Sequence, residues 1–111
     1  MISVSELCRR AGVTRKTLFY YDRIGLLKPV KRVGRQQAKQ YDETSVIRLR
    51  EIRRYRSAGL SLSEIRRLLD EESADRLMIL NTALSRLYRE YDALSQMIMN
   101  LTSLIEKETT L

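Results

Sequence analysis

The side chains of this chain that could do chemistry are three cations and two aromatic rings set close together: Arg15, Lys16, Phe19, Tyr20 and Arg23. On a helix of 3.6 residues per turn Lys16, Phe19, Tyr20 and Arg23 share one side and Arg15 fills the first turn, while Leu18, Tyr21 and Ile24 share another side. One side can pack and the other can touch a polyanion. Catalysis has no comparable footing. There is no His, and there is no carboxylate pair, Gly-rich phosphate loop or Ser nucleophile motif, so no enzyme activity is expected. The lone Cys8 and the missing His also leave no zinc site of the Cys/His kind. Cys8 lies among apolar helix positions and reads as a buried structural thiol, and no metal or other cofactor is expected.

Holding those five residues in place requires a capped helix. Thr14 can serve as N-cap, and Gly25 followed by Leu26, Leu27, Lys28 and Pro29 supplies a left-handed stop, which predicts a helix over 15–24. Before it, residues 5–11 carry Leu7, Cys8 and Ala11 at helical spacing and end at Gly12 and Val13. Two short helices joined by a Gly-containing turn make a helix-turn-helix.

Charge narrows the choice of polyanion. The 111 residues carry a net charge of +7, unevenly placed: residues 1–69 hold 17 Lys/Arg against 6 Asp/Glu, and residues 70–111 hold 4 against 8. The basic surface therefore lies in the front part and suits nucleic acid or an anionic membrane. A membrane partner would need a basic amphipathic helix with a greasy face or a long apolar span, and neither is present. Ser3, Ser5 and Glu6 interrupt any signal peptide, so a cytoplasmic location is expected. Hydrophobic content of 43% with one Pro and four Gly suits a mostly helical domain with an appendage.

The run Thr17-Leu18-Phe19-Tyr20-Tyr21-Asp22-Arg23-Ile24-Gly25-Leu26-Leu27-Lys28-Pro29 resembles the N-terminal DNA-binding domain of the MerR family of bacterial regulators, whose pattern here is close to T-L-R-Y-Y-E-x-x-G-L-L-x-P. The likeness continues through Tyr41-Asp42, Leu49 to Leu62 and Ser63 to Leu69, and so covers most of residues 1–70. It has departures. Phe19 stands where the family carries arginine. In the family's wing pattern Tyr-Arg-x-Tyr, Ala38 replaces the first aromatic and Lys39 the arginine.

Residues 30–41 are basic around Gly34, and two short strands about a tip at 34–37 would make a β-hairpin; composition alone also allows a solvated basic loop. The resemblance implies the hairpin, a wing that brings Arg35, Lys39 and Tyr41 to DNA. Asp42 then caps a third helix carrying Val46, Leu49 and Ile52 up to Gly59, and Ser61 to Glu64 forms a capping box for a fourth carrying Leu62, Ile65, Leu68 and Leu69. Arg48 and Arg50 read as an ordinary solvated face. The resemblance places Arg56 on the DNA backbone, and the start of the next helix would offer a phosphate N–H groups and a positive dipole end, so Arg56 and Ser61 make a candidate second wing.

Residues 71–75 read as a linker. Beyond them Leu77, Leu80, Leu84, Leu87, Tyr91, Leu94, Ile98, Leu101 and Ile105 alternate at spacings of three and four, with no Gly or Pro between Arg76 and Lys107. A helix of about 50 Å cannot bury that stripe on so small a domain and needs a partner helix. Antiparallel self-pairing is what the resemblance implies.

The expected fold is mostly α: a winged helix-turn-helix domain over 1–70 with a small β-hairpin wing, the linker 71–75, and a long coiled-coil dimerisation helix over 76–107. The expected function is that of a homodimeric, sequence-specific transcriptional regulator that bends and untwists a pseudo-palindromic promoter, with double-stranded DNA, a second copy of the chain and RNA polymerase as partners. Thr14, Arg15, Lys16, Thr17, Phe19, Tyr20, Tyr21, Arg23, Arg35, Lys39, Tyr41, Arg56 and Ser61 are the expected DNA contacts. Phe19 either meets a thymine methyl or packs on Tyr20 or the wing, and packing is favoured because apolar groups more often meet one another than a specific base. Two rival readings stay open, an excisionase-like architectural protein and a coiled-coil interaction module with weakened DNA binding. No effector domain or small-molecule pocket is expected within these residues.

Overall fold

A computed structural model of the chain describes residues 1–110. Short polar residues start nearly every helix. Ser3 ends β1 (Ile2–Ser3) and accepts the Glu6 N–H at 3.2 Å, opening α1 (Val4–Ala11). Gly12, at φ 68°, turns the chain out of α1 in a left-handed conformation that a Cβ would resist. Thr14 accepts the Thr17 N–H at 3.1 Å and opens α2 (Arg15–Arg23). After the hairpin of β2 (Lys31–Val33) and β3 (Ala38–Tyr41), Asp42 and Ser45 form a capping box for α3 (Glu43–Ser57). Ser61 and Glu64 form a second box for α4 (Leu62–Asp70), with the Ser61 N–H donating to Glu64 Oε1 at 2.8 Å and the Glu64 N–H to Ser61 Oγ at 3.1 Å. Asp75 accepts the Met78 N–H at 3.0 Å and opens α5 (Arg76–Thr109).

The wing is a three-stranded antiparallel sheet in the order β1-β3-β2, with Ile2 opposite Tyr41, Lys31 opposite Gln40 and Val33 opposite Ala38. The third strand, β1, is an addition to the expected hairpin; two residues are too few to show a period.

Two compact units divide within α4, residues 1–66 and 67–111. In the first, Leu7, Leu18, Leu26, Tyr41, Val46, Leu49, Ile52 and Ile65 are fully buried. Three arginines tie its helix ends together by donating to carbonyls. Arg53 reaches Ala11 O at 2.6 Å, Arg48 reaches Leu26 O at 2.9 Å, and Arg66 reaches Ile24 O at 2.5 Å and Gly25 O at 3.2 Å. These oxygens lie at or just beyond the ends of α1 and α2, where the helix itself supplies no donor. Arg48, expected on a solvated face, is thus half-buried and structural, whereas Arg50 is exposed. Cys8, expected to be buried, is only half so; desolvation pushes its thiol pKa up and Arg15 opposes the shift.

In the second unit α5 spans 34 residues, about 50 Å at 1.5 Å each. All nine heptad positions are exposed, from 38% at Leu87 to 68% at Leu77. Ile79 and Ala83, which lie off that stripe, are buried. No described helix is long and apolar enough to cross a membrane.

Candidate nucleic-acid interface

Leu18 and Tyr21 turn inward from α2 and anchor it, which leaves Arg15, Lys16, Phe19, Tyr20 and Arg23 exposed on its outer side. These side chains are partly fixed by their neighbours. Arg15 donates to Ser5 Oγ, and the Arg23 guanidinium lies 5.3 Å from the Tyr20 ring centroid. Thr14 and Thr17 are committed to the cap, the Thr14 hydroxyl also donating to Thr17 Oγ1 at 3.0 Å.

Beneath Phe19 lies a node that the sequence pattern does not announce. The Asp22 carboxylate, 9% exposed, takes Arg32 Nη2 at 2.9 Å on one oxygen and Lys39 Nζ at 2.9 Å on the other. The hydrogen bond from Arg32 holds the Asp22 pKa below the ordinary carboxylate value, against the opposing effect of burial and with help from Lys39. Lys39 Nζ also sits 4.1 Å from the Phe19 ring centroid. One carboxylate thereby joins α2 to β2 and β3. A signal does exist: Asp22 is the sole acid of α2, three positions from Phe19 and so on the same side.

Lys39, expected to hold a phosphate, therefore shares a single carboxylate with Arg32, and the node of two cations and one acid keeps a net positive charge. Tyr41, expected at the interface, is wholly buried, and its hydroxyl has no hydrogen-bond partner among the described residues; burial pushes its pKa up to about 12. It anchors β3 to the core and offers nothing to an outside ligand. Tyr21, 8% exposed, is likewise mainly core. Arg35, at the hairpin tip, is exposed. Arg56 borders a surface depression with Thr14, Thr17 and Tyr21, and its Nη1 donates to Leu60 O at 2.9 Å; Ser61 is exposed, but its N–H donates to Glu64 and its Oγ accepts the Glu64 N–H. The carboxylate of Glu64 occupies part of the position expected for a phosphate. Among the described residues, no group of three or more His, Cys, Asp or Glu is placed to hold a metal ion.

Comparison with known proteins gives this geometry its family. The model for the MerR HTH family regulatory protein matches residues 2–72, and the MerR, DNA binding model matches residues 46–104. The chain belongs to the MerR family. Its relatives include the HTH-type transcriptional regulator HmrR of Rhizobium leguminosarum bv. viciae, 33% identical over 110 residues that cover 94% of this chain and 84% of HmrR. The HTH-type transcriptional activator TipA of Streptomyces coelicolor is 41% identical over 73 residues, 66% of this chain but 28% of TipA's length. The N-terminus of MtaN, the Bacillus subtilis multidrug transporter activator, superposes with a TM-score of 0.81 at 26% identity, covering 95% of this chain and 98% of that one. The MerR resemblance read from residues 17–29 is thereby confirmed, as is the mostly helical winged fold.

Proposed function

We propose that this MerR-family chain works as a non-catalytic, homodimeric regulator of transcription that lays α2 in the major groove of a pseudo-palindromic promoter. The observation that carries this reading is the outer side of α2, where Arg15, Lys16 and Arg23 surround Phe19 and Tyr20 with no acid but the neutralised Asp22. Cations there neutralise phosphates and steer the approach, and the side chains between them face base edges. Arg35 at the wing tip and Arg56 flank that helix as phosphate contacts. Leu77, Leu80, Leu84, Leu87, Tyr91, Leu94, Ile98, Leu101 and Ile105 supply the dimer seam, antiparallel as in the family, so that two α2 helices enter successive major grooves about 34 Å apart on straight DNA. Bending and untwisting the promoter would then alter its spacer for RNA polymerase, a readout by deformation.

Selection of bound fragments from genomic DNA tests the reading. It should return sites with two inverted half-sites centred about one helical turn apart, bound by a species that sediments as a dimer at micromolar concentration. Fragments with a single half-site, or no enrichment at all, would overturn it.

A further inference from the structure

We propose that Phe19 reads the C5-methyl group of one thymine in each half-site. This rests on the reading of α2 as a groove-binding helix. Phe19 is 43% exposed and borders three separate surface depressions, one shared with Asp22 and Arg32, one with Ser5 and Gln37, and one with Lys16 and Tyr20. The ring is thus a ridge at the centre of the cationic surface rather than a rim residue. One of its faces is taken by the Lys39 ammonium, which Asp22 holds in turn, so the ring is braced from behind while the rest projects. Sequence alone favours packing on the wing over base contact; the geometry allows both at once, because the wing covers only one side.

The chemistry then selects the ligand. DNA binding must strip water from a ring in this central place, and burying it against phosphate or a polar base edge would leave those polar groups without partners. Among the groups that base pairs present in the major groove, the thymine C5-methyl is the apolar one. A phenyl ring among three cations therefore discriminates for thymine at one position, while the cations hold the backbone without regard to sequence.

Replacing thymine by uracil removes that methyl group alone, so the full chain is tested on its selected site with uracil placed at each thymine in turn. One position per half-site should weaken wild-type binding about fourfold, the factor for one buried methyl-sized group, and both together about fifteenfold. Phe19→Ala should bind the thymine and uracil sites equally. As a check that needs no variant, 5-iodouracil at the sensitive position should cross-link to Phe19 on irradiation, as read by mass spectrometry. Equal binding with uracil at every position, sensitivity that persists in Phe19→Ala, or a cross-link to another residue would overturn the assignment while leaving the groove-binding reading intact. Failure to select any site would remove both.

Discussion

The outer side of α2 and the heptad stripe of α5 are both exposed in the single chain, yet they are exposed for opposite reasons. On α2, cations and polar tips lie in water at little cost, and their rings are propped against Arg23 and Lys39. That surface can wait for a ligand. On α5, leucines and isoleucines stand at heptad spacing on either side of Tyr91, all of them at least 38% exposed. At about 25 cal/mol per Å² of apolar area, such a stripe favours association at any salt concentration. Exposure alone does not distinguish a conditional interface from a permanent one; the chemistry of the exposed atoms does.

The largest effect should come from charging the stripe. Leu87→Glu combined with Leu94→Glu should leave the chain monomeric at micromolar concentration and weaken binding to a two-half-site fragment by about a hundredfold or more, since each half-site is then bound alone. Analytical ultracentrifugation and a gel-shift titration measure the two outcomes, and a variant that stays dimeric would break the contrast drawn above. Lys16→Ala and Arg23→Ala should act on the other surface only. Each should lower DNA affinity about tenfold and flatten the log–log salt dependence by about 0.9, with no change in sedimentation. If either leaves the salt slope untouched, that cation does not meet a phosphate. The smallest effect sharpens the picture at the second candidate wing. Glu64→Gln keeps an acceptor for the Ser61 N–H but removes a negative charge at the start of α4, so low-salt DNA affinity should rise about twofold with stability changed by less than about 0.5 kcal/mol. No gain in affinity would mean that the start of α4 stands away from the DNA.

Features fixed by near neighbours in the chain are legible in its amino-acid order. The Thr14 cap and the Ser61 and Glu64 box each depend on residues three positions apart, and each is found where the sequence puts it, whereas the hairpin about 34–37 is distinguished from a basic loop only by the family resemblance. Features fixed by distant neighbours are not legible in this way. Arg48 looks like a solvent-facing cation until the chain brings Leu26 O to it, 22 residues away in sequence, and no local pattern marks Arg53 as the donor to Ala11 O, 42 residues away. Lys39 looks like a free point charge because Asp22 is a full element away, and Tyr41 looks like a contact because a tyrosine's pattern position does not reveal that its ring is enclosed. The buried pair Ile79 and Ala83 is hidden by a stronger periodic signal on the same helix.

The carboxylate of Asp22 also governs when order is imposed, a matter of time rather than charge. Because it holds Arg32 and Lys39 together with α2, the helix and the hairpin would, in the proposed binding mode, reach the DNA already joined, with the loss of side-chain freedom at that junction settled during folding. About 0.5–1.5 kcal/mol of ordering per immobilised side chain is thereby absent from the binding step. The same stiffness denies the hairpin any independent adjustment to an imperfect half-site. In the proposed binding mode a mismatched sequence would meet a surface already ordered, and the difference would emerge as a shorter residence time on the wrong DNA.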